Sequence, residues 1–138
     1  MRINYLAVIV AAIVYWLLGA MWYSPLLFAN RWVELMGETM EEAKQGSHSP
    51  MSFIVALLCN LVIAFVLALV CNASGATTMG KGASTGILMW LGFVGTVTLT
   101  TYQFDGRPVS LWAINYGYAL VGMIIMGAIL GAWRKKAA

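Results

Sequence analysis

The sequence predicts an all-α integral membrane bundle of four transmembrane helices, with a short amphipathic interfacial helix between the first and second. Three observations carry this. Hydrophobic residues make up 62% of the 138-residue chain and charged residues only 9%, where a soluble domain carries about 25% charge. Four apolar stretches keep their charges at the ends, and each has the roughly 20 residues needed to cross a hydrocarbon layer about 30 Å thick. The turn-forming residues fall between those stretches. Residues 1–138 are taken as a single membrane domain.

The first span covers about Asn4 to Tyr23 and carries no charge. Arg2 ahead of an apolar run is also how a signal peptide begins. No small-residue cleavage site follows, however, and the run ends in the interfacial pair Trp22 and Tyr23. The next segment, about 25–36, predicts the interfacial helix. Ser24-Pro25 reads as a capped start, and Gly37 as a stop. Phe28, Trp32, Leu35 and Met36 recur at helical spacing, while Arg31 and Glu34 fall on other faces, the pattern of a helix lying in the headgroup plane. Thr39-Met40-Glu41-Glu42 reads as a capping box.

The second span, about 51–71, is introduced by Ser49-Pro50, a cap followed by a proline at the first helical position. The third covers about 81–102 and the fourth about 110–133. Between the last two, Asp105-Gly106-Arg107-Pro108 marks a tight turn, so those helices form an antiparallel hairpin.

Orientation follows from the bases. One side holds Arg2, Lys81, Arg134, Lys135 and Lys136 with no acid; the other holds Arg31, Lys44 and Arg107 against Glu34, Glu38, Glu41, Glu42 and Asp105. The positive-inside rule puts the first set, and with it both termini, in the cytoplasm. The expected setting is the inner membrane of a bacterium, with membrane lipid as the first partner. The bases build no broad face interleaved with exposed aromatics, so nucleic acid is not an expected partner.

The chain resembles the DUF1761 family of small, mostly bacterial membrane proteins. The likeness rests on Gly19-Ala20-Met21-Trp22-Tyr23-Ser24-Pro25-Leu26-Leu27-Phe28, on Trp90-Leu91-Gly92-Phe93, on Phe104-Asp105-Gly106-Arg107-Pro108, and on Asn115-Tyr116-Gly117-Tyr118 continuing to Met126-Gly127-Ala128-Ile129-Leu130. The resemblance implies the four-span plan and supplies no activity.

No Asp, Glu, Lys, Arg or His lies deep in a span. Ion-coupled carriers keep such groups inside because their membrane cost is tolerated for function, so a single-subunit ion pump is not expected. The polar residues inside are neutral. Asn60 sits near the middle of span two, and Asn115 shares a face with Tyr118 in span four. An amide in hydrocarbon requires a specific partner. With the aromatic cluster Trp22, Tyr23 and Trp32, these residues form the expected ligand-binding set, for an uncharged or amphiphilic molecule; the alternative is that the amides hydrogen-bond across helices to hold the bundle together and the aromatics anchor it at the interface. Thr96, Thr98, Thr100 and Thr101 are expected to bond their own helix.

Gly82 with Gly86, and Gly127 with Gly131, are small-xxx-small steps that let helices approach closely, within one bundle or between subunits. A homo-oligomer, or assembly with another membrane protein, is the matching expectation. No nucleophile, base and orienting group occur together, so no catalytic residue and no enzyme activity are expected. Met36, Met40, His48 and Met51 follow no recognised copper-ligand spacing, and Cys59 and Cys71 lie about 18 Å apart on one helix, too far for a disulfide. No metal and no cofactor are predicted. No Walker-type loop accompanies Gly80-Lys81-Gly82.

Overall fold

The computed structural model describes residues 3–24, 27–37 and 50–133. Among these the chain is helical throughout: α1 (Tyr5–Trp22), α2 (Ala29–Leu35), α3 (Pro50–Ser74), α4 (Met79–Asp105) and α5 (Val109–Ala132). The expected capping box at 39–42, His48, Lys44, the glutamates at 38, 41 and 42, Arg2 and the basic residues 134–136 lie outside the described residues. Helices α1, α3, α4 and α5 are each long and apolar enough to cross a membrane, which is the build of a multi-pass membrane protein.

The helix ends have local causes. The Asn4 side chain accepts the Ala7 N–H at 3.2 Å and caps α1; the Thr78 hydroxyl accepts the Lys81 N–H at 3.2 Å and caps α4. Gly75 and Gly106 adopt φ of 71° and 69° just past α3 and α4, the left-handed conformation that stops a helix. At the second of these the Arg107 N–H closes back on the Tyr102 carbonyl at 3.0 Å. Helices α3 and α4 overrun the expected 51–71 and 81–102 by one to three residues at their ends. Hydropathy marks the hydrocarbon layer, while helical hydrogen bonding continues into polar residues such as Asn72 and Gln103.

Helix α2 is shorter than the expected 25–36, and its start differs. The Ser24 hydroxyl donates back to the Met21 carbonyl at 2.6 Å instead of capping α2, and the N-cap position is Phe28, with no side-chain cap bond. A turn carries the chain round, with the Phe28 N–H on the Trp22 carbonyl at 3.1 Å and the Ala29 N–H on the Ser24 carbonyl at 3.2 Å.

Along α1, Tyr5, Ile9, Ile13, Leu17 and Met21 form an exposed ladder, while Ala7, Val8, Ala11, Ala12 and Tyr15 are buried. In water such a stripe would be an unusually large apolar patch; against acyl chains it is the expected outer face. Helix α5 is the central span and packs on α1, α3 and α4.

The closest packing is between the first half of α4 and α5. The Gly82–Gly86 and Gly127–Gly131 steps meet each other there. A Cβ on Gly82 would overlap the Gly127 carbonyl, one on Gly127 the Gly82 carbonyl, one on Gly86 the Met123 carbonyl and one on Gly131 the Thr78 carbonyl. Of the two settings open to these steps, the chain uses the internal one.

Helix α4 is interrupted by a π-helical turn at Leu91–Gly95. Thr96 donates its hydroxyl to the carbonyls of Leu91 at 2.8 Å and Gly92 at 3.3 Å, satisfying groups that the wider turn loosens. Gly95 is small because the Trp90 ring lies on it: an added Cβ would stand 2.6 Å from that ring.

Candidate functional site

The polar side chains converge at the α2 end of the bundle. Asn115, in the second turn of α5, is the hub. Its Oδ1 accepts from the Tyr23 hydroxyl at 2.8 Å and from the Trp32 indole N–H at 3.0 Å, while its Nδ2 donates to the Tyr102 hydroxyl at 3.1 Å. One amide thus ties together the end of α1, the interfacial helix, the end of α4 and α5. Beside it, Trp22 donates to the Ile114 carbonyl at 2.9 Å.

Aromatic rings continue this cluster toward the bundle centre. Tyr118 stacks on Tyr15 at 4.5 Å between centroids, meets Tyr23 edge-on at 5.7 Å and Trp22 at 6.2 Å, and donates its hydroxyl to the Tyr15 carbonyl at 2.9 Å. Gly19 and Gly122 make room, since a Cβ at Gly19 would stand 2.8 Å from the Tyr118 hydroxyl and one at Gly122 would overlap the Tyr15 ring. Asn60, 7% exposed, is the buried polar residue of the described core and lies beside Tyr118.

Below this cluster α3 and α4 stand apart, leaving a crevice of about 880 Å³. Its walls are Val62, Ile63, Val66, Leu67 and Val70 of α3 and Met89, Phe93 and Val94 of α4. Its floor is Ala119 and Met123 of α5, and its polar edge is Tyr15, Tyr23, Asn115, Tyr116 and Tyr118. The volume falls in the range of about 300–1,000 Å³ usual for small-molecule sites. The π-helical turn helps shape one wall: it carries Phe93, 71% exposed, and Val94 at the crevice, while Trp90 is pinned by its indole N–H to the Tyr116 carbonyl at 2.8 Å.

The six residues expected to bind a ligand therefore fall in one connected cluster but in two positions. Tyr23, Asn115 and Tyr118 line the crevice; Trp32 and Trp22 stand behind it as partners of Asn115 and Tyr118, and Asn60 is buried beside Tyr118. The threonines Thr98, Thr100 and Thr101 donate to carbonyls one turn back in α4, and Thr98 also accepts the Trp112 indole N–H at 3.0 Å. Sequence reasoning missed Tyr15, Tyr102, Tyr116 and Trp90. A usable signal was present, since each carries a polar tip within an apolar run and needs a hydrogen-bond partner when buried.

The polar groups lining the crevice are, among the described residues, phenols and one amide, with no carboxylate, amine or imidazole. Among the described residues no three His, Cys, Asp or Glu side chains converge as metal ligands would.

The chain matches the family described as "Protein of unknown function (DUF1761)" over residues 6–131, a range that includes every crevice residue. It belongs to the DUF1761 family. No curated protein and no solved structure matches it. Membership therefore sets the chain within DUF1761 and leaves its activity to be argued from the site.

Proposed function

We propose that this DUF1761 protein is a non-enzymatic membrane protein that binds an amphiphilic small molecule or lipid in the crevice between α3 and α4. The carrying observation is the crevice itself: about 880 Å³ of apolar space with the Asn115 cluster along one edge. An uncharged chain or ring system fits between Val62, Val66, Phe93 and Val94 without desolvating an ion, and a polar group fits beside Tyr23 and Asn115. The base count sets both termini on the cytoplasmic side of a bacterial inner membrane, with α2 and the Asn115 cluster toward the outer surface.

The alternative, an accessory protein that assembles with copies of itself or with another membrane protein through glycine-rich faces, loses its sequence argument. The faces of Gly82, Gly86, Gly127 and Gly131 are occupied within the chain. Any homo-oligomer would use other surfaces.

Photo-crosslinking tests the binding reading. A long-chain alcohol with a mid-chain diazirine is irradiated with the protein in lipid nanodiscs, and the adducts are mapped by mass spectrometry. Adducts concentrated on Val62, Val66, Phe93 and Val94 are expected. Labelling spread equally over Ile9, Ile13 and Leu17, the outer face of α1, would mean annular lipid only and would overturn the proposal.

A further inference from the structure

We infer that Arg107 holds the headgroup of the crevice's occupant, and that the occupant is an anionic lipid carrying a phosphate. This rests on the crevice being a binding site and adds the chemical class of what enters it.

Arg107 lies in the short turn between α4 and α5, where the chain leaves the apolar layer at the end that holds the Asn115 cluster. Its guanidinium carbon stands 5.5 Å from the centroid of the Tyr102 ring. Tyr102 in turn meets Tyr116 edge-on at 5.8 Å, and Tyr116 lines the crevice. The cation is thus two rings from the apolar space. Among the described residues the ion pair present is Arg31 with Glu34, at 3.0 Å on the surface of α2; Arg107 has no carboxylate partner. The other charge of this turn is Asp105, exposed two residues earlier.

Geometry explains why this arginine is suited to the task. The guanidinium carbon lies over the Tyr102 ring, a cation–π placement in which no side-chain N–H of Arg107 is spent on a hydrogen bond among the described residues. Its N–H donors lie in the plane of the group, so they remain free to fork onto two oxygens of a phosphate. Lysine, a point charge without that fork, would not hold both contacts at once. Among the described residues the walls of the crevice carry no charge, so an anionic head is excluded from it and must stop at the mouth. The path from the crevice's polar edge at Tyr116 through Tyr102 ends at Arg107, where a base beside an anionic headgroup changes affinity by about fivefold.

The test uses the full chain in detergent and native mass spectrometry with phosphatidylglycerol and phosphatidylcholine of identical acyl chains. Three proteins are compared: wild type, Arg107→Gln, and Val66→Trp, which fills the crevice from α3. Wild type is expected to retain phosphatidylglycerol about fivefold better than phosphatidylcholine. Arg107→Gln should bind both lipids at the phosphatidylcholine level, and Val66→Trp should lose both. An undiminished preference in Arg107→Gln would overturn the headgroup assignment while leaving the crevice as a binding site. Equal retention of both lipids by wild type and Val66→Trp would overturn the crevice reading and this inference with it. If millimolar inorganic phosphate abolished the wild-type preference while acyl chains made no difference, the site would be one for a free anion, and the lipid assignment would fail.

Discussion

The Gly82 substitution tests the packing on which the whole site is built. In Gly82→Ala the new methyl carbon would stand 2.8 Å from the Gly127 carbonyl carbon and 3.0 Å from the Gly131 Cα, both of them backbone atoms that cannot rotate aside. Ordinary contact begins at 3.4 Å, so the carbonyl carbon alone requires α4 to retreat from α5 by 0.6 Å, the difference between 3.4 and 2.8, and the overlapped Gly127 carbonyl oxygen requires more. A gap of about 0.5–1 Å forfeits a quarter to a half of each dispersion contact it opens, and membrane helices have little besides such contacts to hold them together. Overpacking of this kind costs about 1–3 kcal/mol. Alanine's better helix propensity returns about 1 kcal/mol. Gly80 and Gly92 provide the controls: both lie on α4 with open space where a Cβ would go, so alanine there gains propensity without collision. Gly82→Ala should therefore be about 1–3 kcal/mol less stable than either control. The assay is reversible unfolding in mixed micelles, followed by far-ultraviolet circular dichroism as the denaturing detergent is raised. Equal stability of Gly82→Ala and Gly80→Ala would refute the close α4–α5 crossing. A double variant, Gly82→Ala with Gly127→Ala, should cost less than the sum of the two, since both demand the same displacement.

Three further outcomes are expected. Asn115→Leu removes three hydrogen bonds. At about 0.6 kcal/mol each in a membrane, it should destabilise the bundle by about 2 kcal/mol. It also frees α2, so amide exchange across Ala29–Leu35 should accelerate; unchanged exchange there would show that Trp32 does not anchor the helix. Cysteine labelling tests the orientation: in a cysteine-free background on intact cells, an impermeant maleimide should modify Arg107→Cys and leave Lys81→Cys unmodified, and the reverse pattern would invert the topology. In native protein in detergent, N-ethylmaleimide should modify the exposed Cys59 well before the buried Cys71, and equal rates would mean that α3 does not pack on the bundle as described.

How much was legible in the sequence differs from one feature to another. The four spans were, because free energy of transfer is additive along a helix, and twenty apolar residues declare themselves without reference to any neighbour. The α4–α5 turn was legible for a similar reason, as Gly106 supplies a backbone conformation that few other residues adopt. The site was legible in part. Asn115, Tyr118, Tyr23, Trp22, Trp32 and Asn60 stood out because a polar tip in hydrocarbon needs a partner. Which partner each would find was not, since Asn115 draws on residues up to 92 positions away.

By itself, then, the sequence determined an all-helical membrane chain with a hairpin at its end, an interfacial helix and a small set of neutral polar groups. Its composition and its turn residues are local properties. Tertiary structure alone decided that the glycine steps face each other across α4 and α5, that the π-helical turn carries Phe93 and Val94 at the crevice, and that α3 stands off from α4. Those facts depend on which helix faces meet, and in lipid every face is apolar enough to meet any other. Shape then makes the choice: the faces of Gly82 and Gly127 allow contact of two backbones, whereas the valines of α3 and the widened turn of α4 face the open crevice.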